Sequence, residues 1–183
     1  MFSTFGGCMW LLVWLAGLVS AANKEKPPVF RRGGSNFIME DLITSCDHTY
    51  VEYFRKVPNS YNLYTFRVVK LASRFTIDVA VRVLKTKRVM YKVDNLDGCY
   101  FLTNPLMNRV FGSVYKRLIV NGSFFTCPIK PAVYYLRNEG SVEMLPTFHP
   151  PGKYQVTMRV KMHESPGPFV MEMLWIYNVV KIK

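Results

Sequence analysis

Phe75-Thr76-Ile77-Asp78-Val79-Ala80-Val81-Arg82-Val83 decides the fold. Phe75, Ile77, Val79, Val81 and Val83 recur at every second position, the period of a strand that lays one face on a core. Tyr154-Gln155-Val156-Thr157-Met158-Arg159-Val160-Lys161-Met162 repeats the pattern, with Tyr154, Val156, Met158, Val160 and Met162 on the apolar face. One buried face and one wet face indicate an antiparallel sheet. Weaker strand patterns lie at 37–46, 50–55, 61–71, 88–93 and 132–137. The run 169–180 is apolar on both faces and reads as a more central strand.

One segment departs from this period. Thr103 or Asn104 suits a helix cap, Pro105 suits the first helical position, and Gly122 follows the end. Leu106, Val110, Val114 and Leu118 recur every four residues, with Met107 and Phe111 beside them, which predicts an amphipathic helix over about 104–119. The expected fold is mainly β: an antiparallel two-sheet β-sandwich with one helical insertion, in a single domain.

The N-terminus reads differently. Residues 1–22 hold no Lys, Arg, Asp or Glu. The apolar run Met9–Val19 ends in Ser20-Ala21-Ala22 before the polar Asn23-Lys24-Glu25-Lys26. That is the pattern of a cleavable signal peptide, and the run is shorter than the about 20 residues a spanning anchor needs. The expected organisation is a signal peptide over 1–22, an extended arm over 23–36 with Pro27-Pro28 and Gly33-Gly34, and a domain over 37–183. The product is expected to be secreted and extracellular.

Export constrains the chemistry. Cys8 leaves with the leader, so Cys46, Cys99 and Cys127 remain, and an oxidising compartment predicts one bridge and one spare thiol. The residues themselves leave all three pairings open. No CxxC or HxxxH spacing accompanies them, so no metal site is expected. Asn121-Gly122-Ser123 is a glycosylation sequon in an expected turn.

The formal net charge is +12, from 24 Lys and Arg against 12 Asp and Glu. Much of it falls on the wet faces of strands. Lys85-Thr86-Lys87-Arg88 reads as a basic hairpin tip suited to a membrane receptor or to an anionic lipid or glycan surface. Nucleic acid is not an expected partner, because the chain carries no recognisable recognition module. His48, His149 and His163 would invite a ribonuclease reading, but no motif links them, and His149 reads as part of a Pro-rich turn. No nucleophile elbow, phosphate loop or HExxH occurs. No enzymatic activity and no cofactor is expected.

A set of short motifs then carries a resemblance. Asp97-Gly98-Cys99-Tyr100-Phe101-Leu102, Asn104-Pro105-Leu106, Cys127-Pro128, Tyr134-Tyr135-Leu136-Arg137-Asn138 and Pro150-Pro151-Gly152-Lys153-Tyr154 follow in order, with Cys46 and Tyr50-Val51-Glu52-Tyr53 upstream. The chain resembles a large insect family of secreted domains of unknown function. That family is related to the myeloid-differentiation-2-like (ML) lipid-recognition superfamily, which includes the ganglioside activator and the Niemann–Pick type C sterol carrier. Some insect members are linked to taste and pheromone sensing. The resemblance implies an immunoglobulin-like sandwich that holds a lipid or other small apolar ligand between its sheets. It also implies a Cys99–Cys127 disulfide, which leaves Cys46 unpaired. The family's usual partner for Cys46 is missing, since that region reads Phe54-Arg55-Lys56-Val57. The expected lining is Ile77, Val79, Val81, Val156, Met158 and Val160, with Leu106, Val110 and Phe111 as a lid. The alternative is an interaction module in which these residues simply fill the core.

Overall fold

The computed structural model describes residues 27–120, 123, 126–138, 145 and 149–182, less the side chains at 107, 108 and 110–114. The expected signal peptide (1–22) and the sequon residue Asn121 lie outside the described residues.

The chain folds as a β-sandwich of two unequal antiparallel sheets. The larger sheet has the order β1-β2-β9-β8-β5-β6 and the smaller β3-β4-β7. The strands are β1 (Val29–Arg32), β2 (Ser35–Cys46), β3 (Val51–Lys56), β4 (Leu63–Val68), β5 (Phe75–Val83), β6 (Val89–Asp97), β7 (Ala132–Arg137), β8 (Gly152–Met162) and β9 (Met171–Lys181). Part of the expected extended arm is therefore an edge strand. A Gly33-Gly34 turn, with both glycines at positive φ, folds β1 back on β2. The closing apolar run is central, as β9 pairs with β2 on one side and β8 on the other.

Alternation sets the core. Met171, Met173, Trp175, Tyr177 and Val179 of β9 are buried, while the residues between them are half-buried. In β2 the parity changes midway. Phe37 and Met39 face inward, a bulge at Glu40 adds one residue, and from Leu42 onward the even positions pack on the core. The displaced Glu40 side chain lies 2.8 Å from the ammonium of Lys153. From the small sheet Phe54, Tyr64, Phe66, Val68 and Tyr134 complete the core. Between the sheets the chain turns at Asp47, whose Oδ1 accepts the N–H groups of Thr49, Tyr50 and Val51.

Two helices stand where one is expected. The first, α1 (Gly98–Thr103), is capped by Asp97, whose carboxylate accepts the Tyr100 N–H. The second, α2 (Pro105–Leu118), is capped by Asn104, whose Oδ1 accepts the Leu106 N–H. Gly98 lies directly under the Phe75 ring. A Cβ there would stand 2.0 Å from a ring carbon, and Phe75 is buried against β8. Gly98→Ala is therefore expected to cost about 1–3 kcal/mol through overpacking. A denaturant melt that matched wild type would show that the α1–β5 contact yields freely.

Cys99 at the start of α1 is bonded to Cys127, with a Cα–Cα distance of 5.6 Å. Two residues later, Ile129 exchanges backbone hydrogen bonds with Ala72, at 2.9 and 3.0 Å. The helical insertion is thus tied at its start and at its return. Cys46 is free and half-buried.

Candidate ligand-binding site

Strand spacing sets the geometry of the sandwich. Six strands span about 24 Å and three about 10 Å. The small sheet lies over the β2–β9 half of the large one. Thr44 Oγ1 donates to the Phe54 carbonyl, the Tyr64 hydroxyl donates to the Leu42 carbonyl, and Trp175 Nε1 donates to Asn138 Oδ1 at 2.7 Å. The β8–β5–β6 half faces other neighbours.

Register lays out that half row by row. Phe75 pairs with Met162, Ile77 with Val160, Val79 with Met158, Val81 with Val156, and Val83 with Tyr154. On the β6 side Leu96 pairs with Ile77, Val93 with Val79, and Tyr91 with Val81. A bulge between these pairs puts Asn95 in the left-handed region, and its N–H donates to Asp78 Oδ1 at 2.7 Å.

Both ends of this array are closed. At one end α1 sits on Phe75, and Met162 is buried beside it. At the other end Val81 and Val156 are buried, and beside them Tyr91 and the buried Tyr154 stack on His149. Between them Ile77, Val79, Met158 and Val160 are half-buried, packed against the core on one side. Val93, in register with Val79, is 48% exposed. The result is a partly exposed apolar strip across β8, β5 and β6, which we take as a candidate trough. Of the six strand residues expected to line a pocket, these four form the trough wall, and Val81 and Val156 belong to the closed core. Leu106 does not join them: it is 63% exposed in the first turn of α2. The side chains of Val110 and Phe111 lie outside the described residues.

The closed end contains a polar group. His149 lies in the loop directly before Pro150-Pro151, as its sequence suggests, but it is buried, with only 3% of it exposed. Its ring stacks on Tyr154, centroids 4.9 Å apart, and on Tyr91 and Tyr177. Its Nε2 is 3.1 Å from the Tyr91 hydroxyl and its Nδ1 2.9 Å from the Tyr177 hydroxyl. A neutral imidazole satisfies both, donating through one nitrogen and accepting through the other. The Tyr154 hydroxyl donates to the Pro150 carbonyl at 2.7 Å. Burial holds the imidazole below its usual pKa. Burial, with a smaller contribution from the charge of Tyr154, pushes the Tyr91 phenol up to about 12. The Tyr177 phenol is raised for the same reason. At neutral pH these are neutral groups in a desolvated network.

Among the described residues no cluster of three or more His, Cys, Asp or Glu is placed to hold a metal ion. No helix of the described residues is long and apolar enough to cross a membrane. A separate hollow of about 400 Å³ lies at the β3–β4 turn, lined by Lys56, Val57, Pro58, Asn59, Ser60 and Tyr61. One turn alone forms it, so no second element closes over an occupant. The trough is the better candidate, as three strands, a helix and a buried aromatic cluster define it.

No curated protein matches the chain. Residues 75–156, from the start of β5 to the middle of β8 and including the disulfide, both helices, β6, β7 and His149, match the model of a family described as "Protein of unknown function (DUF1091)".

Proposed function

We propose that the protein is an extracellular, non-enzymatic binding protein that holds a lipid or other small apolar ligand against the trough. The observation that carries this reading is the mismatch of the two sheets, which leaves Ile77, Val79, Met158 and Val160 half-buried in mid-sheet while both ends of the same strands are sealed. Apolar side chains in mid-sheet gain stability by being covered. A ligand that removed about 400 Å² of apolar surface from water, counted over both partners, would gain about 10 kcal/mol. Loss of ligand freedom offsets at least about 4 kcal/mol of this, which leaves at most about 6 kcal/mol and so binding no tighter than the tens of micromolar on this area alone. Met158 of the trough wall stands in register with the buried Met173 of the next strand, and their flexible thioethers tolerate ligands of different shape. The resemblance to ML lipid-recognition proteins, and through it a chemosensory role in an insect, agrees with this reading.

The test is organic extraction of the purified protein, with mass spectrometry of the extract. It is paired with titration of the neutral probe N-phenyl-1-naphthylamine, which the basic surface does not attract. Val79→Trp fills the trough from its wall and is expected to weaken probe binding at least tenfold while the melting temperature stays within a few degrees. Val133→Trp, on the exposed face of β7, is expected to leave binding unchanged. An empty extract together with a probe that fails to bind wild type would sink the carrier reading and leave the interaction module.

A further inference from the structure

We infer that one end of the large sheet is a docking surface for an anionic phospholipid membrane. The topology gathers it from distant parts of the sequence. Antiparallel order brings the β1–β2 turn, the end of β9, the start of β8 and the β5–β6 hairpin tip to the same end. Arg31, Lys181, Lys153, Lys85, Lys87 and Arg88 stand there, all exposed. Among the described residues of this end, Glu40 is the acid, and Lys153 holds it. The opposite end is mixed, with the acids Asp47, Asp97 and Glu164 beside the cations Lys70, Arg74 and Lys161.

Two features select the partner. The first is spread: the cations extend along an edge about 24 Å wide, about three times the screening length of about 8 Å at physiological salt. A single small anion would meet only one or two of them, so the array fits an extended anionic surface. The second is the apolar side chains set among the charges. Val89 and Met90 follow the hairpin tip directly and are 43% and 36% exposed, and Val180 and Ile182 flank Lys181 at 41% and 40%. A sulfated glycan or a nucleic acid backbone offers such side chains nothing, whereas a bilayer interface takes both kinds, with ammonium groups at the phosphates and apolar groups below them. The tip is firmly built for this. The Lys87 N–H donates to the Val83 carbonyl and the Val83 N–H to the Arg88 carbonyl, both at 2.9 Å, with Lys87 in the left-handed region. This surface does not depend on what occupies the trough.

Cosedimentation of the purified protein with phosphatidylcholine vesicles, with and without phosphatidylserine, tests the inference. Binding to the phosphatidylserine vesicles alone is expected, and it should fall steeply with added salt. Lys85→Gln, Lys87→Asn and Arg88→Gln together should weaken it on the order of 100-fold, about fivefold per cation. Asn is chosen at 87 because it tolerates the left-handed backbone. Val89→Ser with Met90→Ser should weaken it about tenfold at unchanged charge. All five positions are exposed, so the melting temperature should hold, and it is measured alongside. Equal binding to both vesicle types, no binding to either, or undiminished binding by the triple variant would each overturn the inference. So would heparin binding, indifferent to the Val89 and Met90 changes, without vesicle binding, which would assign the surface to a sulfated glycan.

Discussion

Replacing Cys99 and Cys127 together by serine is expected to lower the stability of the fold by about 3.6 kcal/mol. The two residues are 28 apart in sequence, and closing a loop of that length removes about 12 cal/mol/K of chain entropy from the unfolded state. At about 2–4 °C per kcal/mol for a domain of this size, the melting temperature should fall by roughly 7–14 °C. The loss is not confined to the unfolded chain. The bridge joins the first turn of α1 to the strand-like segment at Ile129, and the loop between them carries both helices. Without it, α1 is held by its contact with Phe75 and the return by two backbone hydrogen bonds to Ala72. Since α1 seals one end of the trough, probe binding should weaken in the same variant. Denaturant titration of wild type, reduced wild type and the double variant gives the number, and the last two should coincide. A loss below about 1 kcal/mol would mean that packing alone keeps the loop closed.

Most of the larger sheet was legible because its side chains obey a period of two. In β5 and β8 the alternation is unbroken over nine residues, and both strands stand where the pattern predicts. Where the backbone inserts a residue, the pattern misleads. The bulge at Glu40 switches the inward positions of β2 from odd to even, so Phe37 and Cys46, which no single alternation joins, both touch the core. The six-residue α1 escaped notice because it is shorter than two helical turns, too few for a 3.6-residue period to show. Its signals were nonetheless present in the capping Asp97 and in Pro105 directly after Asn104. In the arm, a Gly-Gly pair after Val29–Arg32 was the hairpin signal for β1.

The site was less legible than the fold, and the reason is physical. A strand pattern says which face is apolar but not what covers it. Val81 and Val79 are equivalent by spacing, yet Val81 lies under the buried end of the sandwich and Val79 lies in the trough. The difference comes from the aromatic cluster around His149, whose Tyr91, Tyr154 and Tyr177 come from strands far apart in sequence and close only the Val81 end. Leu106 misled for the complementary reason. Its helical spacing marked an apolar position, but it sits in the first turn of α2, before the helix has anything to cover.

His149 shows what such coverage implies for behaviour in solution, and the sign of the effect follows from its surroundings. In the unfolded chain the imidazole takes up a proton near pH 6.5, its ordinary value. In the folded chain burial lowers that pKa, so between pH 6.5 and the lower folded value the unfolded state binds more protons than the folded one. Stability is therefore full above pH 6.5 and declines as the pH falls below it, levelling off once the folded histidine also protonates. Among the described residues, the titratable groups that face the ring are Tyr91 of β6, Tyr154 of β8 and Tyr177 of β9, all held neutral in this range by raised pKa values. None supplies a negative charge to receive an imidazolium. Glu164 also titrates with a shifted pKa, lowered by its hydrogen bonds from Ser73, but it acts below its ordinary 4.5 and so in a separate window. His149→Phe keeps the stacked ring and removes both hydrogen bonds. Leaving the Tyr91 and Tyr177 hydroxyls buried without this partner is expected to cost about 2–5 kcal/mol at neutral pH. The same variant should lose the His149 share of the decline between pH 6.5 and 5, so its difference from wild type should shrink as the pH falls. Urea titrations of both proteins across that range decide the matter, and a gap that stayed constant with pH would show that His149 does not charge there.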